Sequence, residues 1–73
     1  MAADFEVRKD AKSEWYWTFQ AENGETIARS SEGYRNRADC LHSIRIVKDF
    51  SPESSVFDMT AEKPRLVPDS DVK

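Results

Sequence analysis

Cysteine and histidine each occur once in this 73-residue chain, glycine only twice, and no apolar run approaches the length of a membrane span. A single cysteine forms no internal disulfide, and one cysteine with one histidine falls short of the four ligands of a structural zinc site. Two glycines leave no material for a glycine-rich phosphate loop. The opening MAADFEVRKD has neither the basic start nor the apolar core of a signal peptide. Positive charge is also in deficit: 11 Lys and Arg stand against 14 Asp and Glu, for a formal net charge of −3 and a pI near 5.0. Such a molecule has no overall field to draw it to nucleic-acid backbones or anionic lipid, which disfavours a nucleic-acid partner and a membrane one. The expectation is a soluble, cytoplasmic protein without metal or cofactor, its free thiol suited to a reducing compartment.

Length sets a further bound. A chain this small buries about 60% of the surface it exposes when unfolded, so it has room for one domain with a thin core. Small scaffolds compensate with disulfides, metals or association with another chain. The first two are excluded by composition, which leaves association.

The strongest local signal is Asn23-Gly24 within QAENGETIA. Asn followed by Gly tolerates the two positive φ values of a two-residue type I′ turn, so it predicts a hairpin flanked by Glu22 and Glu25. That register sets Ala21 opposite Thr26, Gln20 opposite Ile27, Phe19 opposite Ala28, Thr18 opposite Arg29 and Trp17 opposite Ser30. One face then carries Trp15, Trp17, Phe19 and Ala21 against small partners, which makes room for a helix laid across it. An earlier strand, Asp4 to Lys9, alternates Phe5 and Val7 with Glu6 and Arg8 and joins the same core face. The opposite face carries Glu6, Arg8, Tyr16, Thr18, Gln20, Ile27 and Arg29 and reads as solvated.

After a bend at Gly33, Asn36 with Asp39 three residues on forms a helix N-cap signal, and a helix is expected from Arg37 to Phe50. Cys40, Ile44 and Val47 recur at helical spacing as its apolar stripe, with Leu41 on one flank and Ser43 and Phe50 on the other. Ile46 lies off the centre of that stripe. Pro52 stops smooth continuation. SSVFDMT offers a fourth strand around Val56 and Phe57, and from Ala61 onward the Pro-interrupted polar sequence reads as a flexible tail. The expected organisation is an α+β domain over residues 1–60, β-β-β-α-β with an antiparallel sheet and one helix on one face, and a tail over 61–73.

FEVRKD, EWYWTFQAENGETIA, SSEGY and CLHSIRIVK, in this order, resemble the YegP-like family of small uncharacterised proteins over roughly Phe5 to Lys48. The resemblance implies a β3-α-β unit that occurs either in tandem or as a single unit that dimerises with exchange of its C-terminal strands. It brings no established catalytic residues. The chain departs from the family pattern at Ser13, where a loop glycine is usual, at His42-Ser43, where Asn-Gly is common, and in its longer tail.

No constellation of residues points to catalysis. Cys40 and His42 are about 200° apart on a helix, too far round for a nucleophile and its base, so Cys40 reads as a core thiol and His42 as a surface side chain. The carboxylates at the hairpin tip read as solvation, and Arg35 and Arg37 offer an anion only a helix N-terminus. The tryptophans share a face with Phe5 and Val7, which favours core packing over a base-stacking platform. The resulting expectation is a non-enzymatic homodimeric interaction module, with Ile46, Phe50, Val56, Phe57 and Met59 at the dimer interface and another protein as a further partner. Spacing alone also fits a last strand that folds back on its own chain. The alternative is a weak RNA- or DNA-binding domain using Arg8, Tyr16 and Arg29 on the open face.

Overall fold

The computed structural model describes residues 2–60 and 62–72. Three strands, β1 (Asp4–Lys9), β2 (Trp15–Gln20) and β3 (Thr26–Arg29), form an antiparallel sheet in the order β1-β2-β3. Helix α1 (Arg37–Phe50) packs across β1 and β2. A 3₁₀ turn, Ser51–Glu53, leads to a separate hairpin of β4 (Val56–Asp58) and β5 (Arg65–Val67), and a second 3₁₀ turn spans Asp69–Asp71. The β-β-β-α-β order and the antiparallel sheet with its packed helix agree with the sequence expectation, and α1 has the expected limits. Strand β5 lies in the segment read from sequence as a flexible tail. Its Leu66 and Val67 are the apolar pair between Pro64 and Pro68 that lets this segment pair with β4.

The β1–β2 register follows strict alternation, with Phe5 opposite Phe19, Val7 opposite Trp17 and Arg8 opposite Tyr16. Between β2 and β3, Phe19 meets Ala28 and Thr18 meets Arg29, as expected, and Ser30 N–H bonds to the Trp17 carbonyl at 3.0 Å. The turn itself differs. Gly24 is left-handed at φ +85°, but Asn23 is not, which excludes type I′. Gly24 N–H donates to Ala21 O at 2.9 Å and Ala21 N–H donates to Glu25 O at 2.8 Å, so three residues close the loop. This shifts pairing by one residue, setting Gln20 opposite Thr26, and a bulge at Ile27 shifts it back before Phe19. The expected Gln20–Ile27 and Ala21–Thr26 pairs are therefore absent, while the apolar pairs further along survive.

The loop between β1 and β2 repeats this construction. Ser13 N–H donates to Asp10 O and Asp10 N–H donates to Glu14 O, each at 3.0 Å, and Ser13 takes the left-handed place with φ +63°. The Asp10 carboxylate holds the loop by accepting from the backbone N–H of Lys12 at 2.8 Å and of Glu14 at 3.0 Å. Past β3, Tyr34 forms a bridge with Trp15 through a pair of backbone hydrogen bonds of 2.7 and 2.6 Å. Gly33 leaves the room this bridge needs, because a Cβ would stand 2.9 Å from Glu14 Cβ.

Asn36 occupies the N-cap position of α1 in an extended conformation but makes no side-chain cap. Its amide donates to the Asp39 carboxylate at 3.4 Å instead, a correction to the expected cap. At the other end, Pro52 is accommodated in the 3₁₀ turn, where its missing N–H costs little. Ser54 closes that turn, its N–H donating to Ser51 O at 3.1 Å and its hydroxyl to Phe50 O at 2.7 Å.

The two loops give opposite expectations for their left-handed residues. Ser13→Gly should raise stability by roughly 0.5–1 kcal/mol, since relief of about 1–2 kcal/mol of left-handed strain is partly offset by glycine's greater unfolded freedom. Gly24→Val should cost at least about 1 kcal/mol, because a β-branched residue is strained at positive φ even in open space. Denaturant midpoints of the two variants would check both signs, and an unchanged Gly24→Val midpoint would contradict the loop geometry.

Candidate functional site

The apolar face of the sheet is only partly roofed. Because α1 crosses β1 and β2 but hardly reaches β3, Ala28 on the same face remains exposed. A groove of about 280 Å³ opens beside the helix C-terminus, with Phe5, Trp17, Phe19 and Ala28 as its floor and Val47, Lys48 and Ser51 along the helix side. Phe5 meets Trp17 edge-to-face at 5.2 Å between ring centres and Phe19 at 4.7 Å in a tilted pair. Both geometries suit the ring quadrupoles and hold the floor rigid.

Trp17 anchors that floor to the helix. Its indole N–H donates to Ser43 Oγ at 2.9 Å, and the Ser43 hydroxyl donates to the Cys40 carbonyl at 2.7 Å. Trp17 and Cys40 are the buried apolar residues of the chain among those described. Burial pushes the Cys40 thiol above its ordinary pKa, with Arg37 pulling weakly the other way. His42 is exposed on the outer side of the helix, so the thiol and the imidazole do not face each other. Among the described residues no cluster of His, Cys, Asp and Glu could hold a metal ion.

The five residues expected at an interface are all exposed, from Val56 at 42% to Met59 at 69%. They are not one patch. Ile46 and Phe50 lie on α1, whereas Val56 and Phe57 lie on opposite faces of β4, because successive strand residues alternate. Phe57 shares its face with Leu66, directly across in β5, and Val56 shares the other with Val67. Leu66, also exposed, was not among the interface residues expected from sequence. At the end of β4, Asp58 accepts from the Thr60 hydroxyl at 2.6 Å and from its N–H at 2.9 Å, which holds the carboxyl below the usual range.

On the open face the structure brings Arg8, Tyr16 and Arg29 together. Arg8 lies across from Tyr16, and the Arg29 guanidinium covers the Tyr16 ring at 4.7 Å. The same groups are engaged with one another. Arg8 pairs with Glu6 and donates to Thr18 Oγ1 at 3.3 Å, and Gln20 donates to Thr18 and Thr26. These contacts make a polar lattice over the sheet in which Thr18 is buried.

Known proteins resemble the chain at this level of fold and sequence. The family of a domain of unknown function, DUF1508, matches residues 10–58. A UPF0339 protein of Agrobacterium fabrum is 45% identical over 56 residues, covering 77% of this chain and 89% of that protein. A UPF0339 protein of Neisseria meningitidis serogroup B is 38% identical over 52 residues, covering 71% and 91%. A solution NMR structure of a protein from Haloferax volcanii superposes with a TM-score of 0.72 at 34% identity, covering 77% of this chain and 93% of that one.

Two measurements probe the anchor. Ser43→Ala leaves the buried Trp17 N–H without its acceptor and should cost about 1–3 kcal/mol in chemical denaturation. A bulky thiol reagent should modify Cys40 slowly in the native protein and quickly in urea. Rapid native modification would contradict the burial.

Proposed function

From the premise that the chain belongs to the DUF1508 family, the YegP-like proteins, we propose that it is a non-enzymatic, cytoplasmic interaction module that works as a homodimer. The observation that carries this is a mismatch within one subunit. The groove over Phe5, Trp17, Phe19 and Ala28 stands open, while the β4–β5 hairpin holds Phe57 and Leu66 in solvent away from the three-stranded sheet. In the proposed dimer each hairpin docks on the other subunit's sheet, with Ile46, Phe50, Val56, Phe57 and Met59 in the contact and Leu66 beside Phe57. Two-fold symmetry satisfies both copies at once.

Surface area supports the reading. The subunit exposes 6294 Å², against about 4,600 Å² for a compact monomer of its mass. An excess of roughly 1,700 Å² per subunit is on the scale of an obligate dimer interface. The radius of gyration, 14.9 Å against about 11 Å for a compact chain of this length, has the same origin in the projecting hairpin.

The nucleic-acid alternative rests on Arg8, Tyr16 and Arg29 lying together. Arg29 occupies the ring face on which a base would stack, and Glu6 neutralises Arg8, so the open face favours a role in sheet stability or protein contact. Salt-dependent retention on immobilised RNA or single-stranded DNA, lost in Arg29→Ala, would reverse that preference.

Sedimentation equilibrium tests the dimer. The full chain should sediment as a dimer at micromolar concentration, and truncation after Ser51 should abolish both dimer and most of the stability. A stable folded monomer, or a truncated chain that still dimerises, would overturn it.

A further inference from the structure

Asn23 and Gly24 are both exposed at the tip of the β2–β3 loop, and glycine is the residue least able to shield its own backbone nitrogen. An asparagine followed by glycine undergoes a known intramolecular reaction. The Gly24 nitrogen attacks Asn23 Cγ, the new C–N bond closes a succinimide, and the side-chain nitrogen leaves as ammonia with the Gly24 amide proton. Water then adds across the ring. Attack at Cγ leaves an aspartate at this position in a normal linkage. Attack at the backbone carbonyl yields an isoaspartyl linkage through the side chain.

In this loop both reacting groups are tied elsewhere. The Gly24 N–H donates to Ala21 O at 2.9 Å, and Asn23 Oδ1 accepts from the Glu25 N–H at 3.0 Å. The first bond holds the nucleophilic nitrogen protonated and turned into the loop. The second holds the electrophilic amide toward Glu25. We propose that Asn23 is a site of spontaneous deamidation that the folded β2–β3 loop holds in check, so that modification accumulates in proportion to opening of this hairpin. The turn that sets the register is then also a guard on its own covalent integrity.

The isoaspartyl product cannot rebuild the loop. An isoaspartyl linkage adds a carbon to the main chain between residues 23 and 24 and places a new carboxylate between Glu22 and Glu25. The bonds from Gly24 to Ala21 and from Glu25 to Asn23 lose their geometry, and the Gln20–Thr26 pair next to them loses its closure. Ala28, part of the groove floor, follows on the same strand. The modification therefore acts on the apolar floor from outside it.

The chain supplies its own control, since the other asparagine, Asn36, precedes the bulky Arg37. Incubation at mildly alkaline pH, native and in urea, followed by tryptic mapping, isolates Asn23 in the peptide Ser13–Arg29. Isoaspartate should appear in that peptide in urea and form more slowly in the native protein by roughly tenfold or more, the factor set by the cost of opening the loop. Equal rates in the two conditions would overturn the guard. Absence of isoaspartate from this peptide in urea would overturn the site.

Discussion

The helix is held to the sheet through the Trp17 indole, which packs on Phe5 and donates to Ser43, which in turn donates to the Cys40 carbonyl one helical turn back. Among the described residues few side chains are fully withdrawn from water, so a directional bond through the middle of the contact sets the helix position more firmly than apolar area alone. Ser43 supplies the acceptor for this bond. The placement of α1 over β1 and β2, the exposure of Ala28 and the open groove all follow from where this bond puts the helix.

The limits of α1 and most of the sheet pairing were legible because each rests on a periodicity that local irregularity does not erase. The loop geometry was not. Asn-Gly suits a two-residue turn and a three-residue loop alike, and the one-residue shift of the latter is cancelled by the bulge at Ile27, so the Phe19–Ala28 pair is the same by either route. Strand β5 was hidden by its brevity and its flanking prolines, since Leu66 and Val67 are too few to show alternation. Strand parity identified the apolar face that became the groove floor. It carries no information on how far a helix covers that face, which depends on the Trp17–Ser43 contact and on α1 crossing two strands out of three.

The open face shows why composition reads a surface better than single residues do. Arg8, Tyr16 and Arg29 do converge, yet each is occupied by a neighbour, and the lattice they form with Glu6, Thr18 and Gln20 resembles cross-strand support more than a vacant ligand site.

The two hairpin loops share one design but differ in the residue at its tightest point. Glycine takes the left-handed place beside β3, where it is at ease, and serine takes it beside β1, where it is strained. Release of β1 would relieve that strain, while release of β3 would relieve none. β1 is nonetheless the better-held edge, with six residue pairs to β2 and α1 packed across it, whereas β3 has three pairs, a bulge and only exposed residues. The left-handed strain at Ser13 is therefore carried by the strand that also carries Phe5, so part of the groove floor is held by pairing strong enough to keep an unfavourable loop closed.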